Sequence, residues 1–173
     1  MLYFAYGSNL CPHRLSNRIG PVAEVGTGVA PGFHLTFSKY GMDGSGKCHL
    51  VRSDRSAYGA VFELSPDQFR ALDRIEGPGY RRRPIRVGTP GGDLSCVTYL
   101  ARRHWIQYDL RPADWYRDMV LVGAYFIGAP QSYIRRIRSW PCRRELKRNS
   151  WDAIRWDIQY PFYSMDYDDW VPF

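Results

Sequence analysis

Glycine and proline interrupt the first two thirds of this chain so often that only short extended runs survive between them. Residues 2–6, 33–38, 57–64, 82–87 and 94–101 form such runs. Many of their apolar residues are β-branched or aromatic, the types that suit a pleated, half-buried surface. Helical patterns fall between and after them without a regular strand-helix alternation. That arrangement argues for an α+β fold rather than a doubly wound parallel sheet. At 173 residues the chain is long enough for one domain with a sizeable core.

The clearest helix opens at Ser65-Pro66-Asp67-Gln68. Ser65 suits the N-cap, Pro66 the first helical position, and Gln68 completes a capping box. Phe69, Leu72 and Ile75 follow as one apolar stripe, and Gly77-Pro78 stops the helix. A second helix is expected from about Pro112 to Tyr125, with Trp115, Met119 and Val122 on one face. A third starts at Pro130, with Tyr133, Ile137 and Trp140 on one face and Arg135, Arg136 and Arg138 largely on the other. The four tryptophans from Trp140 onward predict that residues 141–173 pack on the domain 1–140 as an extension, since large aromatics gain most from burial.

Several functional classes are disfavoured. The longest near-apolar run, residues 119–130, is shorter than the ~20 residues a membrane helix needs. The first residues lack the basic start of a signal peptide. Cys11, Cys48, Cys96 and Cys142 form no CxxC pair, and His13, His34, His49 and His104 have no ligand spacing. The expectation is a cytoplasmic protein with reduced thiols, no metal and no cofactor. The formal net charge of +7 is uneven: residues 135–148 carry +6 and residues 149–173 carry −4. The basic stretch could serve a polyanion, but its acidic neighbour offsets it, which argues against nucleic acid as the partner. Of the 24 basic residues only three are lysine.

Two local features invite chemistry. The first is Tyr6-Gly7-Ser8-Asn9-Leu10, where a strand breaks at glycine and a short helix starts near Pro12. Such a turn presents backbone N–H groups to one anion, or is an ordinary capped turn. It lacks the GxxxxGK[ST] and GxGxxG patterns. The second is Glu76 at the C-terminal end of the Ser65 helix, where the macrodipole disfavours a carboxylate. An acid held there should be raised in pKa toward general acid/base work, or it is a surface residue paired with Arg81, Arg82 or Arg83. Cys11 reads as a buried structural thiol, and Asp109, Asp114 and Asp118 as solvated residues near a helix start.

Together these residues resemble the γ-glutamylcyclotransferase family. The likeness rests on Tyr3-Phe4-Ala5-Tyr6-Gly7-Ser8-Asn9-Leu10, on Leu72-Asp73-Arg74-Ile75-Glu76-Gly77 with Tyr80, and on a looser patch from Trp115-Tyr116 through Gly123-Ala124 to Pro130 and Tyr133. It covers roughly residues 1–140. The resemblance implies a small mixed β-barrel of about six or seven strands with flanking helices. It implies a small γ-glutamyl substrate, cyclised to 5-oxoproline with release of an amine or amino acid; a monomer or homodimer is expected, a choice the sequence does not make. Glu76 then takes the catalytic position, the loop Tyr6, Gly7, Ser8, Asn9 and Leu10 holds substrate, and Tyr80 and Tyr116 line the pocket. The retained asparagine differs from the glutathione-specific branch, so glutathione is not the first substrate to expect. The alternatives are a non-catalytic small-ligand-binding protein of the same fold and a polyanion-binding module using Arg135–Arg148.

Overall fold

A computed structural model of the chain describes residues 1–144. Five strands form a closed barrel in the order β1-β3-β2-β4-β5. They are β1 (Leu2–Ala5), β2 (Ala23–Tyr40), β3 (Gly46–Glu63), β4 (Tyr80–Thr89) and β5 (Gly92–Ala101). Four helices flank them: α1 (Pro12–Ile19), α2 (Pro66–Glu76), α3 (Asp114–Phe126) and α4 (Gln131–Arg138). Tyr3 pairs with Val97 in parallel and closes the barrel, and the other neighbours run antiparallel. The fold is therefore α+β with a mixed barrel, but with five strands where six or seven are expected.

Five matches the number of extended runs in the sequence, one run to each strand, and falls short only of the count implied by the resemblance. The runs at 33–38 and 57–64 are parts of two 18-residue strands, paired as one long hairpin. The glycines and proline ahead of Phe33 do not end a strand. The pairing register shifts between Glu24 and Gly26, Pro31 and Phe33, and Thr36 and Lys39. Such bulges bend a strand around a barrel without ending it, so each short expected run belongs to one long curved strand.

The core is aromatic and aliphatic. Phe4, Val61, Phe62, Phe69 and Leu72 are fully buried, each contributing about 1.5–3 kcal/mol on burial. The capping box of α2 forms as expected, with Gln68 N donating to Ser65 Oγ at 3.2 Å and Ser65 N to Gln68 Oε1 at 2.9 Å. Its stripe is shorter than predicted, because Ile75 is 42 % exposed. In α3 the expected face is displaced. Val122 points to solvent, while Tyr116, Met119, Val120 and Ala124 are buried. Apolar residues surround this helix, so periodicity alone does not choose its buried face. Asp118 is also buried rather than solvated, with its carboxylate accepting from Arg117 Nε at 2.8 Å and Nη2 at 2.6 Å. In α4, Tyr133, Ile134 and Ile137 face the core, Arg135 and Arg138 face solvent, and Trp140 packs edge-on against Phe37.

Beyond α4 the chain crosses the start of α3, where Arg143 N donates to Pro112 O at 2.8 Å. The expectation for the extension otherwise falls on residues 145–173, outside the described residues. Cys11, Cys48 and Cys96 are free and buried, and Cys142 is free and half-buried. Among the described residues, no helix is long and apolar enough to cross a membrane.

Candidate active site

The polypeptide leaves β1 at Ala5, and Ser8–Leu10 then close a single 3-10 turn, with Leu10 N donating to Gly7 O at 2.9 Å. The turn can lie this deep because position 7 has no side chain. A Cβ there would stand 2.9 Å from Cys48 Cβ and 3.2 Å from its Sγ. Leu10 is fully buried against Gly123 of α3 and anchors the turn from behind. Helix α2 approaches from the other side and ends at Glu76, with Gly77 N donating to Asp73 O at 2.9 Å. The loop and the helix end, 67 residues apart in sequence, meet through Asn9 Nδ2, which donates to Glu76 Oε1 at 3.0 Å.

One pocket collects these groups. Tyr3, Tyr6, Gly7, Ser8, Asn9, Cys48, Glu76, Tyr80, Tyr99 and Tyr116 line it. Seven of the eight site residues expected from the sequence are therefore together, and Leu10, the eighth, sits beneath them. Tyr3, Cys48 and Tyr99 were missed. Tyr3 opens the motif that carries the resemblance but was given no site role, Tyr99 read only as a strand residue, and nothing near Cys48 marks it. A larger, more apolar groove of about 520 Å³ runs between β2, β4 and the α3–α4 connection. Among the described residues Tyr58 is the one titratable group lining it, so it offers little chemistry.

The tyrosine hydroxyls of the pocket are tied down. Tyr6 Oη donates to Tyr99 O, and Tyr80 Oη to Cys48 O at 2.6 Å. Tyr116 Oη accepts from Cys48 N at 3.3 Å, and Tyr3 Oη from Asn9 Nδ2 at 3.2 Å. Tyr99 Oη donates to Asp73 Oδ1 at 2.7 Å. Burial raises the pKa of all five phenols, which keeps them protonated as hydrogen-bonding groups. Burial likewise pushes the Cys48 thiol up to about 12, so it is no ready nucleophile.

Glu76 is the remaining titratable group. Its side chain is only 15 % exposed, and burial raises its carboxyl above the usual range. Arg18, the Asn9 amide, Lys39 and Arg14 oppose that rise. The upward direction matches the expectation, but its dominant cause is burial rather than the helix dipole. Arg82 does not neutralise Glu76: it pairs with Asp73. The guanidinium 3.9 Å from Glu76 is that of Arg18, which also donates to Asn9 Oδ1 at 3.1 Å. Loop, acid and arginine thus form one connected network around a carboxyl whose raised pKa suits it to gain and lose a proton.

Residues 3–117 match the family described as gamma-glutamyl cyclotransferase, AIG2-like. This chain belongs to that family. The matched span of the γ-glutamylcyclotransferase family includes every residue lining the pocket. The chain is 26 % identical over 148 residues to the mouse protein named gamma-glutamylcyclotransferase, covering 80 % of this chain and 77 % of that one. The human protein of the same name is 25 % identical over 148 residues, with the same coverage. A solved structure titled gamma-glutamyl cyclotransferase shares the fold at a TM-score of 0.76 and 24 % identity, covering 89 % of this chain and 97 % of that one.

Proposed function

We propose that this member of the γ-glutamylcyclotransferase family closes a small γ-glutamyl amide to 5-oxoproline and releases the amine or amino acid, with Glu76 as general acid and base. The observation that carries this reading is that Glu76 is the carboxyl lining the pocket, raised by burial above the usual carboxylate range, while the phenols and thiol around it stay protonated.

The reaction is an intramolecular acyl transfer. The substrate's α-amine attacks its own γ-carbonyl carbon, the new C–N bond closes a five-membered lactam, and the old amide C–N bond breaks. Folding the glutamyl chain so that amine and carbonyl touch supplies much of the rate, since well-oriented intramolecular reactions reach effective molarities of ~10⁵–10⁸ M. Glu76, as the carboxylate, takes one proton from the α-ammonium and frees the nucleophilic lone pair. It then returns that proton to the departing nitrogen. The second proton lost as the lactam forms leaves with the amine, so no net proton is consumed. Burial makes Glu76 a stronger base than an exposed carboxylate.

Gly7, Ser8 and Asn9 hold the glutamyl portion through main-chain N–H groups at the start of the turn, where a helical turn has donors without internal partners. Tyr80 and Tyr116, fixed to the backbone of Cys48, shape the opposite wall. Leu10 acts from beneath by fixing the turn.

The test is incubation with γ-glutamyl dipeptides and γ-glutamyl amines, followed by separation of 5-oxoproline from glutamate. A cyclase gives 5-oxoproline and the free amine in equal amounts. Glutamate in place of 5-oxoproline means water is the nucleophile, and retention of ligand without products means a binding protein.

A further inference from the structure

Two of the chain's three lysines, Lys39 and Lys47, face each other across the β2–β3 hairpin beside the pocket. They differ in their partners. Lys47 Nζ donates to Asp43 Oδ2 at 2.7 Å and to Ser45 Oγ at 2.8 Å. Lys39 is only 7 % exposed, yet no carboxylate lies within 4 Å of its Nζ among the described residues. Its ammonium sits instead between two rings, 5.0 Å from the centroid of Tyr80 and 4.9 Å from that of Trp105.

This place is built. A Cβ at position 79 would meet Lys39 Cε at 2.5 Å, Lys39 Nζ at 2.9 Å and Trp105 at 3.2 Å. Gly79 therefore leaves the room that the ammonium occupies, three residues from Glu76. Burying a cation is costly, and the two ring faces, with Glu76 and Asp43 acting from beyond contact distance, offset only part of that cost. The remainder asks for an anion that arrives with a ligand.

We propose that Lys39 is a specificity-determining residue that receives a carboxylate carried by the leaving portion of the substrate. The reading rests on the cyclotransferase function above and names the substrate class: γ-glutamyl amino acids and peptides, over γ-glutamyl amines. Lys39 does not line the pocket assigned to the glutamyl group. Its ammonium lies over the ring of Tyr80, which does line the pocket, so it is one side chain removed from the space assigned to the glutamyl group. Lys47, already paired, gives a substrate carboxylate less reason to choose it.

γ-Glutamylalanine and γ-glutamylethylamine differ only by the carboxylate in question. Wild-type enzyme should release 5-oxoproline from γ-glutamylalanine with the higher kcat/KM. Lys39→Met should lower that value by ~10–100-fold more than it lowers the value for γ-glutamylethylamine, the range expected for one charge-assisted hydrogen bond and mainly through KM, because its effect on Glu76 falls on both substrates alike. Lys39→Arg should restore part of the loss. Equal losses with both substrates would reduce Lys39 to a balance for the Glu76 charge and overturn the proposal. So would a wild type that does not favour γ-glutamylalanine, whatever the variants do. Turnover of neither substrate would defeat the cyclase reading. Calorimetric binding of the two compounds to wild type and Lys39→Met then still decides the role of Lys39, with selective loss of γ-glutamylalanine supporting it and parallel binding refuting it.

Discussion

Asn9 and Glu76 are joined by a 3.0 Å hydrogen bond from the Asn9 amide, and the same amide nitrogen reaches Tyr3 Oη at 3.2 Å. Arg18 grips the other end of the Asn9 side chain. The turn after β1 and the proposed proton carrier are therefore tied together by this one side chain. Asn9→Ala should lower kcat by ~10–100-fold, in proportion to a lost hydrogen bond to a charged group. The sign of the pH effect is also set. Donation from Asn9 favours the carboxylate, so its loss raises Glu76 further and moves the acidic limb of the kcat profile to higher pH. Steady-state kinetics from pH 5 to 9 would check both.

Glu76 is a stability cost that the fold carries. Its pKa is raised in the folded state, so the folded chain binds the proton more tightly than the unfolded one. Stability is then fully present below the ordinary carboxyl range and falls as pH rises through the raised value. Glu76→Gln should melt higher than wild type at pH 8, by roughly 2–4 °C for each 1 kcal/mol recovered. The difference should vanish near pH 4. Calorimetric melting of both proteins at the two pH values tests this. A gain of equal size at both would place its origin elsewhere than in ionisation.

Gly7→Ala should harm both folding and turnover. The added methyl would meet Cys48 Cβ at 2.9 Å and push the turn away from β3. Overpacking of this kind costs about 1–3 kcal/mol. Urea denaturation should show the loss of stability. Turnover should fall even at temperatures where the variant remains folded, because the turn carries the donors assigned to the glutamyl group.

The thiols should not control the reaction. Cys48 touches the pocket, but burial raises its pKa to about 12. Iodoacetamide at pH 8 should therefore leave Cys48 unmodified in the native protein. Cys142, half-buried where the other three are buried, should label first. Peptide mapping by mass spectrometry with activity assayed in parallel should find alkylated Cys142 and unchanged turnover.

Much of the site is legible in the sequence because local rules place it. Ser65, Pro66 and Gln68 fix where α2 starts, Gly77 fixes where it stops, and Glu76 follows as its last residue. The turn after β1 is marked by Gly7 and by Pro12 beyond it. What escapes is what depends on pairing over long distances. Tyr99 enters the pocket through the register of β5, and Cys48 through that of β3, and neither register follows from local pattern. Gly26, Pro31 and Gly32 look like chain breaks but fall at or beside register shifts inside one curved strand. Nothing local marks Lys39, whose setting appears only once Gly79 and Trp105 are seen to hold it. The face of α3 could not be read because its apolar residues do not keep to one side.

The central claim is that Glu76 moves the proton that lactam closure requires. The most direct measurement is 5-oxoproline release from γ-glutamylalanine by wild type and Glu76→Gln in parallel, with ligand affinity measured on the same samples. The glutamine keeps the shape of the side chain and its acceptor for Asn9, but cannot exchange the proton. The account predicts turnover reduced by at least ~100-fold, the lower end of general acid–base contributions, with affinity little changed. Glu76→Gln turning over near the wild-type rate would contradict it.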